Sequence, residues 1–418
     1  MKPIYLDNQS NTKLDNNVFN AMMPFFVDCY GNPQSIYSLG TISKDALDIA
    51  RFQVASFINA DAKEITFTSC ATESNNLVVK GIVESLKTKG KHIIVSSIEH
   101  FSILNPLKKL QNEGFEITYL PVDTKGNVSA KELEKSLRKE TILVSIQHSN
   151  PEIGTIQNIK ELVAIVKNNK INDFVVFHTD AVSSCGFVPV DVKNLNVDAL
   201  TFSSSVMYGP KGAAALYVKK GIKIIPQIEG GVQENSKRSG TENIPAIVGF
   251  GKACQIAKTE LISNAQKIKE LRDILVRELP KRIEYIYLNG AAENRLPGNV
   301  NFSIEFVEGE SLFLLLDAKG IMAASGSACA NKSLKLSHVL SAINVDVAVG
   351  QGSIVFTLSK YNTKEEIDFV LEEFPKIVNR LREMSPLYSY FLETGKRKQA
   401  GPGTSFAHDH DHCHICEE

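Results

Sequence analysis

No run of about 18 apolar residues occurs anywhere in the 418-residue chain, so the sequence offers no membrane-spanning helix. The opening Met1-Lys2-Pro3-Ile4-Tyr5-Leu6-Asp7 has no apolar stretch behind a basic start. It does not read as a secretory signal, and the expectation is a cytoplasmic protein. Neither sign of charge is in excess: 46 Lys and Arg stand against 47 Asp and Glu, a formal net charge of −1. Such balance gives no global field to draw in nucleic acid or an anionic membrane, and neither is expected as a partner. Cysteine is sparse. Five of the seven are scattered singly, which does not suit a disulfide framework, while Cys413 and Cys416 fall together near the end. No internal repeat is visible.

What is present suits a large soluble core, with 43% hydrophobic and 22% charged residues. The length suits two domains of unequal size. Short apolar runs alternate with longer amphipathic ones. Strands are predicted at 64–68, 92–97, 115–122, 141–148, 174–178 and 199–203, and helices at 72–87, 101–112, 131–137 and 159–168. Leu47, Ala50, Val54 and Ile58 share one helical face. Strands alternating with helices imply βαβ units, hence an α/β fold with a mostly parallel sheet and helices on both faces. A long helix is predicted at 244–279, then strands at 299–306 and 353–358 among helices, which reads as a smaller α+β domain. The expected division is a large domain over 14–250, a small one from 1–13 and 251–386, and a flexible His/Cys-rich tail over 387–418.

Several residues could carry chemistry. Asp180 stands at the C-terminal end of a predicted parallel strand, where ligands of open α/β sheets bind. It could pair with a protonated ring nitrogen or cap a loop. Ser69 to Ser74 (SCATES) joins a strand to a helix beginning at Thr72, whose first N–H groups could take a phosphate, or Thr72 could simply cap the helix. His100 follows another strand end and could stack on a flat ring or sit in a loop. Ser203 opens the segment ending in Gly209-Pro210-Lys211-Gly212, a sharp turn. Thr241, on a Gly-containing loop before a helix, could contact phosphate or cap that helix. Cys329 lies among small residues (SGSAC), which suits an exposed reactive thiol.

Taken in order, YLDN, YGNPQSIYSLG, FTSCATESNN, IEHFS, TILVSIQH, HTDAV, YGPKG, RSGTEN, VEGES and SGSAC resemble the cysteine desulfurases of the NifS/IscS type, over about residues 3 to 390. The resemblance implies the pyridoxal-phosphate (PLP) transferase fold type I and a homodimer. It also implies His100 stacked on the PLP ring and Asp180 facing its nitrogen. Ala71, Thr72, Ser203 and, from the other subunit, Thr241 would hold the phosphate. Cys329 would take sulfur as a persulfide.

Two positions break the pattern. Val206 stands where the family's Schiff-base lysine belongs, with Ser205 for its histidine, and Lys211 matches a different family position. Val355 stands where an arginine would grip the substrate carboxylate through two charge-assisted bonds. Pro151, Ser183 and Gln9-Ser10-Asn11 also depart from the family's usual residues. The thiol loop is retained and the amino-acid chemistry is stripped. The expectation is therefore a catalytically degenerate desulfurase homologue in iron–sulfur cluster assembly. Cys329 would serve as ligand of a 2Fe–2S cluster shared with a U-type scaffold protein, or as a persulfide acceptor. The alternatives are an active desulfurase, converting L-cysteine to L-alanine plus persulfide with noncovalent PLP and another base, and a metal-binding adaptor. The adaptor reading rests on the tail, where His408, His410, His412, Cys413, His414 and Cys416 have spacings that suit zinc or another metal, or form an unstructured tail with incidental affinity.

Overall fold

The computed structural model of the chain describes residues 3–169, 171–325 and 336–397. Its strands are β1 (Ile4–Tyr5), β2 (Ile65–Thr68), β3 (His92–Ser96), β4 (Glu116–Leu120), β5 (Thr141–Ser145), β6 (Val176–Asp180), β7 (Ala199–Ser203), β8 (Ala214–Val218), β9 (Ile286–Leu288), β10 (Asn299–Ile304), β11 (Ile321–Met322) and β12 (Ser353–Thr357). Seven of them form one sheet in the order β2-β8-β7-β6-β5-β3-β4. All neighbours from β4 to β7 are parallel, and β8 runs antiparallel to both β7 and β2. The α/β fold read from the alternation is thus present. Its central strands are buried on both faces, as continuous Ile, Leu and Val runs require.

Helices cover the two faces. Leu47, Ala50 and Val54 of the Ser38–Phe57 helix pack into one core with Phe67, Phe177, Phe202 and Phe250. The Ala71–Leu86 and Phe101–Asn112 helices supply a second layer through Leu77, Ile82, Ile103 and Leu107. The second sheet, β12-β10-β9, is antiparallel. Its Val300, Phe302, Ile354 and Phe356 face a separate core closed by the Lys364–Glu383 helix. Strand alternation sends Asn299, Asn301, Val355 and Thr357 to the opposite face. β1 pairs with β11, and Ile4 and Leu6 join that second core. The Ile244–Arg282 helix serves both cores, with Ile247, Phe250 and Cys254 in the first and Ile268, Leu271 and Leu275 in the second.

Order extends past the point where the sequence loses its pattern. A helix runs from Pro386 to Thr394, with Pro386 in its first turn and Gly395 at φ +65° closing it. It seats Tyr388 and Phe391 on Phe306, at ring-centroid distances of 5.4 and 4.9 Å. No helix among the described residues is long and apolar enough to cross a membrane.

Candidate functional site

The parallel strands deliver their C-terminal ends to one edge of the large sheet. Asp180 closes β6 there and is buried. Its Oδ2 accepts from Asn75 Nδ2 at 2.7 Å and its Oδ1 from the Val182 N–H at 3.0 Å. Asn75 Nδ2 also donates to Ser102 Oγ at 2.8 Å, and Ser102 Oγ lies 2.7 Å from His100 Nδ1. The Ser102 N–H donates to the same Nδ1 at 3.1 Å. With Asn75 as donor throughout, the Ser102 hydroxyl proton must point to His100. Nδ1 is then an acceptor, which leaves Nε2 as the ring's N–H. His100 is also the N-cap of the Phe101–Asn112 helix and is exposed. One polar chain, Asp180–Asn75–Ser102–His100, thus joins two of the residues singled out from sequence.

Among the described residues Asp180 has the neutral donors Asn75 and Val182 and no salt-bridge partner. Burial pushes its carboxyl above the usual range, partly opposed by its hydrogen bonds to Val182 and Asn75 and by His100. Asn75 is the residue that sequence reading missed in this role. Its spacing shows a helix turn and gives no sign of which strand its amide meets.

At the Ala71–Leu86 helix the N-cap is Cys70, in extended conformation and without a side-chain cap bond. Thr72 is therefore not the cap. The first-turn N–H groups of Ala71 and Thr72 are left for a ligand or solvent, and the macrodipole favours an anion there. Thr241 does not cap the helix that follows it either: Asn243 does, accepting from the Ala246 N–H at 3.3 Å. Thr241 is exposed on its loop.

Ser203 ends β7 with Oγ 3.1 Å from Ser205 Oγ. The chain then makes one 3-10 turn, Ser204–Val206, and Tyr208 follows at φ +61°. Val206 is only 3% exposed, so the position that would carry a lysine is an enclosed apolar one. The turn is tight: a side chain at Gly209 would stand 2.1 Å from Ser204 Oγ. Val355 lies in the other sheet, also 3% exposed, exchanging backbone bonds with Ala324 at 2.9 and 3.2 Å. Near it a cleft is lined by Asn8, Gln9, Ser183, Asn299 and Thr357, all neutral. Cys329, His408, His410, His412, Cys413, His414 and Cys416 lie outside the described residues. Among the described residues no His, Cys, Asp and Glu cluster could hold a metal ion.

Two further carboxyls are buried beside the site. Glu99 Oε1 accepts from Ser96 Oγ and the Gln147 N–H, and Glu152 Oε2 accepts from Ser337 Oγ. Their other oxygens have no partner among the described residues. Burial raises both to about 8. The folded state therefore keeps protons that the unfolded chain releases near 4.5, and this stabilisation is lost as pH rises towards 8. Buried His148 and His178, lowered to about 4 and about 3, act oppositely below 6.5 and are neutral in both states above it. Between pH 6.5 and 8 stability should fall by up to about 1.4 kcal/mol per pH unit for each glutamate. Urea unfolding across that window tests this. Glu152→Gln should remove one share of the slope, and a flat profile for the native chain would refute it.

The fold is the PLP-dependent transferase fold type I, a mostly parallel sheet with its ligand edge at the strand C-termini. It superimposes on a solved NifS-like protein with a TM-score of 0.85 at 37% identity, covering 90% of this chain and 100% of that one. The model of the aminotransferase class-V family matches residues 4–370. The chain is 50% identical over 385 residues to the cysteine desulfurase IscS of Dictyoglomus turgidum, covering 92% of this chain and 97% of the relative. It is 49% identical to that of Methanosarcina thermophila, covering 92% and 94%. The chain belongs to the aminotransferase class-V family and, within it, to the cysteine desulfurases.

Proposed function

We propose that this protein is a PLP-dependent cysteine desulfurase of iron–sulfur cluster assembly that holds its cofactor without a covalent link. The observation that carries this reading is Asp180. A buried carboxylate with neutral donors alone is costly, and a protonated pyridine nitrogen is the cation that would offset it. His100 would cover the ring, its Nε2 free to pass a proton. Ala71 and Thr72 N–H groups, the Ser203 hydroxyl and Thr241 of the partner subunit would hold the phosphate. These residues fit the cofactor; Val206 does not fit a covalent anchor. PLP, when bound, supplies an electron sink for charge at the amino acid's Cα.

In the overall reaction the Cβ–S bond of L-cysteine breaks, the sulfur joins the Cys329 thiol, and Cβ takes a proton, leaving L-alanine and a persulfide. Without an arginine at 355, the substrate carboxylate would meet the neutral side chains of the nearby cleft. A homodimer is part of this reading. Phe26, Val27, Tyr30, Ile36, Tyr37 and Phe52 are all more than half exposed along the first helices and their connecting loop, an apolar face suited to a second copy. A U-type scaffold protein would receive the sulfur.

A second reading is favoured by the enclosure of Val206 and Val355: a degenerate member that has lost turnover and presents Cys329 as persulfide acceptor or cluster ligand. Anaerobic sulfide release from L-cysteine, with added PLP and reductant, separates the two. Release that vanishes in Cys329→Ala supports the enzyme. No release from either form leaves the second reading.

A further inference from the structure

The backbone before Thr241 is strained. Glu234, Asn235 and Ser236 stand in succession at φ +49°, +56° and +62°, a left-handed conformation that residues with side chains adopt singly and at a cost. Two ion pairs bracket the turn. On one side Glu234, buried, takes the Arg51 fork at 2.6 and 2.7 Å and accepts from the Phe67 N–H at 2.8 Å. Arg51 also donates to Ile65 O at 3.1 Å and lies 4.7 Å from the Phe67 ring centroid, so the turn is bolted to β2. On the other side Arg238 Nε donates to Glu73 at 2.8 Å. Glu73 belongs to the first turn of the Ala71–Leu86 helix and also accepts from the Ser69 N–H at 2.9 Å.

Glu73 is therefore a negative charge placed where the helix start is to receive an anion. Arg238 neutralises it, and the strained turn presents Arg238. We propose that Arg238 and Arg51 are positioning residues for the cofactor phosphate. Arg238 cancels the Glu73 charge, and Arg51, through Glu234, holds the turn that keeps Arg238 there. This rests on the PLP reading above and adds residues that do not touch the cofactor.

The test is equilibrium titration of the apo protein, followed by absorbance and fluorescence, with PLP and separately with pyridoxal, which lacks the phosphate. Arg238→Gln should weaken PLP by about tenfold and leave pyridoxal within about twofold. The double variant Glu73→Gln/Arg238→Gln should recover most of the loss, because both charges are gone. Arg51→Lys should behave like Arg238→Gln, since an ammonium has no fork to fill. If Arg51→Lys does not fold, the partly exposed Arg238 variants carry the test alone. PLP and pyridoxal weakened equally, or neither weakened, would overturn the inference while leaving the cofactor reading intact. Native protein that binds neither would overturn both.

Discussion

Val206→Lys is expected to make the cofactor trappable by borohydride and to raise sulfide release by about 10²- to 10⁴-fold, the usual worth of a positioned acid–base group. The position is prepared for it. β7 ends at Ser203, a single 3-10 turn follows, and Tyr208 at φ +61° fixes the exit. The turn is buried against the large core, so an amine there would be desolvated, which lowers its pKa and frees the neutral form that attacks a carbonyl. The same burial predicts a cost: without cofactor the variant should melt below the native chain. Mass spectrometry after borohydride, with sulfide assays on both forms, gives the result. A folded variant with no trapped cofactor would mean that the pocket, and not the missing amine alone, has changed.

Asp180→Asn should act unequally on the two states. In the apo protein the amide removes a buried charge but turns one of two accepting oxygens into an NH2 facing a donor, Asn75 Nδ2 or the Val182 N–H, so the melting temperature should change little. With PLP the charge proposed to face the ring nitrogen is lost. Truncating one partner of a buried charge pair costs roughly 2–5 kcal/mol, a loss of affinity from about thirtyfold to several thousandfold. The apo and holo melting curves should therefore converge. A fall in both, with unchanged PLP affinity, would make Asp180 a structural anchor only and remove the main support for the cofactor reading.

The placement of Asp180 and His100 at strand ends was readable because it is local. Asp180 and His100 each follow an apolar run, and the Phe101–Asn112 and Ile159–Asn168 helices end where their amphipathic pattern ends. What depends on distant partners was not readable. Asn75 looks like any polar residue in the second turn of a helix, yet its amide spans from Asp180 to Ser102. β1, β9 and β11 have two or three residues each, too few to show a period. The Pro386–Thr394 helix has no buried residue and leans on an aromatic cluster that no periodicity reveals. Glu73 and Arg238 stand 165 positions apart, and only the folded chain makes them a pair.

The pairing of β1 with β11, and of Asn8 with Thr357 across 349 positions, sets a waiting time on the ribosome. At ordinary elongation rates the N-terminal segment emerges on the order of 20 to 70 s before its partner strand exists. Through that interval the large sheet can assemble from neighbours while residues 4–8 dangle. A two-residue strand is a modest liability in such a state, offering nascent neighbours little edge to capture. Closure of the second unit is thus a late event in synthesis, and truncations near the C-terminus should release the N-terminus as well.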